Sequence, residues 1–345
     1  MNLVGRDYAL IIFAFFAIVG LLTPVFRRVA ISMNILDAPS EQHKTHTLAI
    51  PYLGGVAIIV GTLIVVYSAL LFRDVKPSFY LLSSSVLIPA FLMGIMGLID
   101  DIKKLEPGPR FLMQNMSALI TSFFIVKGNT FGSPTGSKVV DLMISMVWIV
   151  GITNSINFFD NVDGGASVTI LFTSATLTFL TWNSQQVLLS ALAATIFGSV
   201  SGFFVWNRPP ARIYMGDAGS LFLGMLIASF TIRLDPTPIN KWASLSVPLL
   251  LLAVPCIDTS VAVLSRLRRR ISPFQGGRDH LSHRILRLGF SKRQTLLILG
   301  TYSALFSAIA IVVSYAPFRL EGIVSALGIC MIITSVFLFL KTSDS

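Results

Sequence analysis

Six aspartates stand in gaps between the long apolar segments of this chain: Asp100, Asp101, Asp160, Asp163, Asp217 and Asp279. The gaps alternate, so a chain threaded through a bilayer gathers all six on one face. Adjacent carboxylates such as Asp100 and Asp101 repel unless a cation or a proton sits between them, which makes the pair a candidate for Mg²⁺ or a perturbed pKa. Taken alone, the pair also suits a solvated helix end matched by Lys103 and Lys104.

From Asn154 to Gly165, five Asn or Asp side chains and two glycines fall within twelve residues, and no Lys or Arg is among them. A turn needs two or three such residues; the others offer oxygen ligands on a backbone that a bound group can approach closely. Further on, Gly216 and Gly219 flank Asp217 just before an apolar run. That sets a carboxylate on a tight turn beside free backbone N–H groups able to meet phosphate oxygens, although an ordinary helix cap has the same residues. Tyr214 suits either a membrane-interface aromatic or a stacking platform for a base. In the basic stretch, His280 and His283 share a face if that segment is helical, and with the arginines they could grip a pyrophosphate. His43 and His46 are the only other histidines and no cysteine is near, so zinc is set aside. Asp258 lies inside an apolar run, where an acid is either functional or paired at a helix end.

The elements that must position these groups are membrane helices. The chain has 345 residues, 54% hydrophobic and 12% charged, with a mean hydropathy of +0.79. Eleven candidate spans begin near Tyr8, Leu53, Phe79, Phe111, Val139, Ala166, Gln186, Gly219, Ser244, Gln294 and Glu321. The alternating ten-residue segments of a strand barrel are missing, so the reading is an all-α polytopic bundle of ten or eleven transmembrane helices, one integral-membrane domain over 1–345. The first span runs into a polar loop with no small-residue cleavage site and reads as a retained anchor. Cys256 and Cys330, both in apolar segments, read as packing residues.

With the N-terminus outside, only Arg6, Arg73, Lys76, Lys127, Lys138, Arg233, Lys241 and Arg319 of the 26 Lys and Arg fall outside, and the other 18 fall inside. This turns the acidic gaps toward the cytoplasm. Topology and attraction to anionic lipid account for much of the basic excess, and no nucleic-acid partner is expected.

In this order, these residues resemble the polyprenyl-phosphate N-acetylhexosamine-1-phosphate transferase family, a group of glycosyltransferase family 4 type. That family includes the bacterial phospho-muramoyl-pentapeptide translocase and the eukaryotic enzyme that starts the dolichol-linked oligosaccharide. The likeness runs through Asp37-Ala-Pro39, Lys44-Thr-His46, Pro51 to Gly55, Asp100-Asp101, Asn154 to Gly165, Tyr214 to Ser220, and His280 to His283. Two motifs depart from it: the family's Asp-Gly-x-Asp-Gly-Leu reads Asp160-Asn161-Val162-Asp163-Gly164-Gly165, and its His-Ile-His-His reads His280-Leu281-Ser282-His283. The short histidine loop looks more like the branch using simple UDP-N-acetylhexosamines, the undecaprenyl-phosphate N-acetylglucosamine-1-phosphate transferase type, than the muramoyl-pentapeptide branch.

The resemblance implies transfer of a sugar-1-phosphate from a UDP-N-acetylhexosamine to a polyprenyl phosphate, with release of UMP, in a multi-pass protein of the inner (cytoplasmic) membrane. It implies Mg²⁺, with Mn²⁺ as a substitute, held by Asp217 and Asn157. Asp100, Asp101 and Asp217 take the catalytic places, with Asp100 and Asp101 either near the acceptor phosphate or one layer behind the metal ligands, and Arg110 neutralising phosphate. Lys44, His46, Asp160, Asp163 and Tyr214 fall to nucleotide and substrate binding, and His280, His283 and Arg284 to the sugar and pyrophosphate. A homodimer is compatible with this reading. Two other classes remain to be weighed. A secondary transporter would hold its acids near mid-membrane, commonly in repeated halves, and an intramembrane prenyltransferase would carry paired Asp-x-x-x-Asp helices; neither pattern is visible.

Overall fold

The computed structural model describes residues 3–37, 49–72, 77–128, 135–235, 241–272 and 277–342. It contains α1 (Gly5–Ser32), β1 (Leu36–Asp37), β2 (Ile50–Pro51), α2 (Gly54–Phe72), α3 (Pro77–Lys103), α4 (Pro107–Lys127) and α5 (Lys138–Phe159). After these come α6 (Gly165–Asn183), α7 (Val187–Asn207), α8 (Gly216–Ile232), α9 (Lys241–Leu251), α10 (Ala253–Arg268), α11 (Leu281–Arg287), α12 (Lys292–Tyr315) and α13 (Phe318–Lys341). Each of the eleven sequence spans coincides with a helix, α9 and α10 together forming one of them. Among the described residues, the exceptions to an all-helical architecture are the two-residue strands, paired antiparallel with Leu36 opposite Pro51 and Asp37 opposite Ile50.

Among the described residues, eight helices are long and apolar enough to cross a membrane, and α9 with α10 makes a ninth across a 76° bend. The other two spans are α4, whose first half is polar, and α8, which at 17 residues is about 26 Å long and shorter than a hydrocarbon core of about 30 Å. The bend has a local cause. Pro255 has no N–H to give the carbonyl of Leu251, and its ring crowds that carbonyl, so the helix breaks at Leu252. Thr173 of α6 supplies the missing donor, its hydroxyl reaching the Leu251 carbonyl at 2.8 Å, as a bilayer interior requires.

Helix α8 is the axis of the bundle, with every residue from Ala218 to Ile232 buried. Glycines bring its neighbours within backbone contact. A Cβ on Gly55 of α2 would lie 2.1 Å from the Gly219 nitrogen, and one on Gly97 of α3 would lie 2.3 Å from the Asp217 carbonyl oxygen. Small residues do this work in membranes, where apolar burial alone does not drive helices together. Hydroxyl pairs add links between helices, Thr62 with Ser199 at 3.1 Å and Thr169 with Ser303 at 2.9 Å. The close approach fixes α3 and α8 so that the acidic end of one meets the start of the other.

Candidate active site

At the end of α3, the two adjacent acids take different roles. Asp101 turns to α8 and accepts two backbone hydrogen bonds, from the Asp217 N–H at 2.9 Å and the Ala218 N–H at 3.1 Å. It thereby caps α8 from another helix, where the free N–H groups and the positive end of the helix dipole favour an anion. The left-handed Gly216, φ 72°, admits it: a Cβ there would stand 2.6 Å from the Asp101 carboxylate. Asp100 is buried; one oxygen accepts from the Leu105 N–H at 2.7 Å and the other meets Arg110 at 2.5 Å. The same guanidinium reaches Asp217 at 3.5 Å.

Asp217 is held from α5 as well, where the Asn157 amide donates to its carboxylate at 2.8 Å and to the Ser220 hydroxyl at 2.9 Å. Asp160 ends α5, and its carboxylate accepts no hydrogen bond among the described residues. Loss of water, with Asp217 and Asp163 nearby, pushes its pKa up to about 7. Asp100, Asp101, Asp160 and Asp217 are thus neighbours, with Arg110 as the basic side chain between two of them. One turn deeper, Gln114 and Asn154 pair reciprocally at 3.2 and 2.8 Å, locking α4 to α5.

Asp163 is buried and ties three segments: it accepts from the Ala211 N–H at 3.1 Å and the Tyr214 hydroxyl at 3.4 Å, and pairs with Lys292 of α12 at 3.4 Å. Burial, followed by the Asp163 charge, raises the Tyr214 hydroxyl pKa, so it stays protonated as a donor. The loop carrying Tyr214 is stitched to α2 by backbone bonds from Tyr214 to Pro51, Gly54 to Tyr214 and Gly55 to Met215, at 2.8, 3.1 and 2.8 Å.

The histidine segment forms α11. Asp258 is the partner that the sequence leaves open: it accepts from His280 Nδ1 at 2.8 Å and the Leu281 N–H at 2.6 Å. Arg266 lies 3.3 Å from the opposite ring nitrogen. His283, 6.4 Å from His280 between ring centres, makes no hydrogen bond among the described residues. Burial, reinforced by His280, lowers its pKa to about 4, so it is a neutral imidazole rather than part of a cationic grip. The Ser282 hydroxyl bonds Asn161, docking α11 against the acidic loop.

Two expectations need correction. Asp279 is not one of the clustered acids; it pairs with Arg266 at 2.9 Å and with Arg269, clamping the basic segment. Arg284 does not face a substrate. It is 1% exposed, and its guanidinium bonds the carbonyls of Asp279, Phe339 and Thr342 at 2.9, 3.0 and 2.6 Å and the Ser265 hydroxyl at 3.0 Å. Lys44 and His46 lie outside the described residues. The sequence has no signal for the Asp258–His280 pair, which spans 22 positions, or for Lys292 reaching Asp163.

The described part of this cluster contains no group of three His, Cys, Asp or Glu side chains able to hold a metal alone. Mg²⁺ takes one or two carboxylates and completes its shell with water and substrate phosphates. Asp217, the unpartnered Asp160 carboxylate and the Asn157 side-chain oxygen form an oxygen-only donor set of that kind.

Residues 83–235, which hold all the acids of the cluster, match the model of the glycosyl transferase family 4. A phospho-N-acetylmuramoyl-pentapeptide-transferase of Streptococcus suis (strain 05ZYH33) is 31% identical over 245 residues, which are 66% of this chain and 69% of the relative. The chain belongs to glycosyl transferase family 4. Within that family it is also 29% identical over 306 residues to a probable undecaprenyl-phosphate N-acetylglucosaminyl 1-phosphate transferase of Bacillus subtilis (strain 168), covering 87% of this chain and 83% of the relative. A decaprenyl-phosphate N-acetylglucosaminephosphotransferase of Mycobacterium leprae (strain TN) is 29% identical over 328 residues, 87% of this chain and 80% of that protein. The family match ends before α11, so the part played by the histidines rests on their geometry.

Proposed function

We propose that this protein transfers N-acetylhexosamine-1-phosphate, with N-acetylglucosamine as the favoured sugar, from its UDP conjugate to a polyprenyl phosphate. UMP leaves, and the product starts a lipid-linked glycan for the cell wall or a surface polysaccharide. The observation that carries this reading is the meeting of Asp100, Asp101, Asp160 and Asp217 with Arg110 at one end of an apolar bundle. The names of the Bacillus and Mycobacterium relatives support the sugar.

In the reaction, an oxygen of the acceptor phosphate attacks the sugar-bearing phosphorus of the donor. The bond from that phosphorus to the bridging oxygen breaks, and UMP carries the oxygen away. Two anions must be brought together in line, which makes charge cancellation and positioning the main task. Asp217 and the Asn157 side-chain oxygen would hold Mg²⁺, or Mn²⁺ in its place, with Asp160 beside them. Bound there, the ion would neutralise the donor diphosphate. Arg110 turns from its two carboxylates toward incoming phosphate. Asp101 acts by holding the first turn of α8 and so the Asp217 backbone; with both oxygens engaged it is a positioning residue rather than a base, and an acceptor phosphate already ionised at neutral pH needs none.

Uridine is assigned to the Asp163–Tyr214 side, with Lys44 and His46, and the sugar to His280 and His283. The acceptor chain is assigned to an apolar groove of about 800 Å³ between α5 and α10, lined by Met143, Val147, Trp148, Ser155, Cys256 and Val263. Along α5 the groove runs from Met143 to Ser155, about 18 Å at 1.5 Å per residue, and ends two residues before Asn157. Acids gathered at one end of the bundle disfavour a mid-membrane ion path. Release of UMP that requires UDP-N-acetylglucosamine, polyprenyl phosphate and a divalent cation together tests the reading. UMP release without the lipid acceptor, or none with the full mixture, would overturn it.

The site is assigned to the cytoplasmic side. A cysteine at Ser137 should react with a membrane-impermeant maleimide in intact cells, and one at Ser272 only after permeabilisation, as the basic asymmetry requires. The reverse labelling would put the site on the side away from cytoplasmic nucleotide sugars.

A further inference from the structure

A second cleft, of about 630 Å³, opens between the end of α7, the loop after it and the start of α12. Its upper wall carries Arg208, Arg212 and Arg293, and its floor Phe204, Leu296 and Leu297. None of the three guanidinium groups makes an ion pair or hydrogen bond among the described residues, and no acid is in the described lining. Arg212 rests instead on the Trp206 ring, 5.8 Å from its centre. Leu297 is 69% exposed and Val205 46%, so the apolar part of the cleft faces the lipid. The arginines sit at the same end of the bundle as the acidic cluster.

Unpaired arginines above an apolar trough at a membrane boundary have the chemistry of a phosphodiester over acyl chains. We infer that this cleft binds one anionic glycerophospholipid of the adjacent leaflet, its phosphate on Arg208, Arg212 and Arg293 and its acyl chains along α7 and α12. The acceptor groove lies on other helices, between α5 and α10, and none of the clustered acids lines the arginine cleft. That favours a structural phospholipid over the reacting prenyl phosphate.

The position gives such a lipid a route to the active site. Gly164, in the loop with Asp160 and Asp163, backs onto the cleft: a Cβ there would stand 3.0 Å from the Phe204 ring and 3.4 Å from Leu296. Lys292, next to Arg293, is the residue paired with Asp163. An occupied cleft therefore steadies the loop that holds Asp160 of the cluster and Asp163 beside it.

The test is lipid retention. Full-length protein is relipidated in phosphatidylcholine containing phosphatidylglycerol as the anionic lipid, stripped by stepwise detergent exchange and weighed by native mass spectrometry. Wild type should keep one phosphatidylglycerol after phosphatidylcholine has gone, and should melt at a higher temperature with it bound. The double variant Arg208→Gln, Arg293→Gln should retain it about tenfold less or worse. Val205→Trp, which fills the cleft without touching a charge, should do the same. Both should release UMP at the wild-type rate in phosphatidylcholine alone. Equal retention by wild type and both variants would overturn the proposal. So would displacement of the lipid by inorganic phosphate, which would reduce the cleft to a simple anion site, or by stoichiometric polyprenyl phosphate, which would make it an acceptor site.

Discussion

Asp217→Asn is expected to cut UMP release by about a hundredfold or more, the scale of losing one electrostatic element aimed at developing charge, while leaving the protein folded. An asparagine oxygen can still accept from the Asn157 amide, which donates to the carboxylate at 2.8 Å. The substitution removes the 3.5 Å ion pair with the part-exposed Arg110, which contributes little to stability. What changes is the charge offered to a divalent cation, so excess Mg²⁺ or Mn²⁺ should restore part of the rate. Asp101→Asn should behave differently. Both Asp101 oxygens accept N–H groups of α8, and an amide can replace only one of them and points its own N–H₂ at the other. Its effect should include a stability loss of about 1 kcal/mol, the usual scale of a helix cap. Full turnover by Asp217→Asn, or undiminished wild-type activity in excess EDTA, would take Asp217 out of the metal site.

Much of this architecture is legible in the sequence because hydropathy is a local property and alternate gaps must share a face. That logic brings Asp100, Asp101, Asp160 and Asp217 together without any knowledge of helix packing. It fails where side chains choose partners over long distances. Asp279 belongs to the same face yet lies in a basic segment, and the nearer guanidinium groups of Arg266 and Arg269 claim it. Asp258 has the look of an isolated intramembrane acid, but it sits in α10 where α11 folds back, and His280 with the Leu281 N–H satisfies it. The break at Leu252 is hidden for a related reason. Pro255 marks a weak point, but only the Thr173 hydroxyl on another helix makes an open carbonyl tolerable there. Asp101 shows the limit on roles: its spacing announces an acid at the site, and only the approach through Gly97 and Gly216 shows that it holds a helix.

The proposed function gives His283 to recognition and leaves its neighbour Arg284 to scaffolding, and paired variants should expose the difference. Arg284→Ala should sharply reduce the yield of folded protein. Its guanidinium joins the end of α10, the segment before α11 and the end of α13 through three carbonyls and a hydroxyl. Hydrogen bonds from a buried charged donor contribute about 1.5–3 kcal/mol each, so losing this set should cost about 3 kcal/mol or more even after water reaches some of the carbonyls. Molecules of the variant that do fold should keep both Michaelis constants near wild type. His283→Ala should do the opposite. With a pKa of about 4 the imidazole is neutral at pH 7, and its ring nitrogens bond no described residue, so truncation removes little that holds the fold. Facing the Asp258–His280 pair, it is free to hydrogen-bond the sugar or diphosphate, and a site that loses such a partner discriminates strongly. The KM for the UDP-sugar should rise, or kcat fall with it, while the polyprenyl-phosphate KM stays nearly unchanged. A donor defect in Arg284→Ala with normal folding would return that arginine to the substrate; an acceptor defect in His283→Ala with donor kinetics intact would remove the histidine from the sugar.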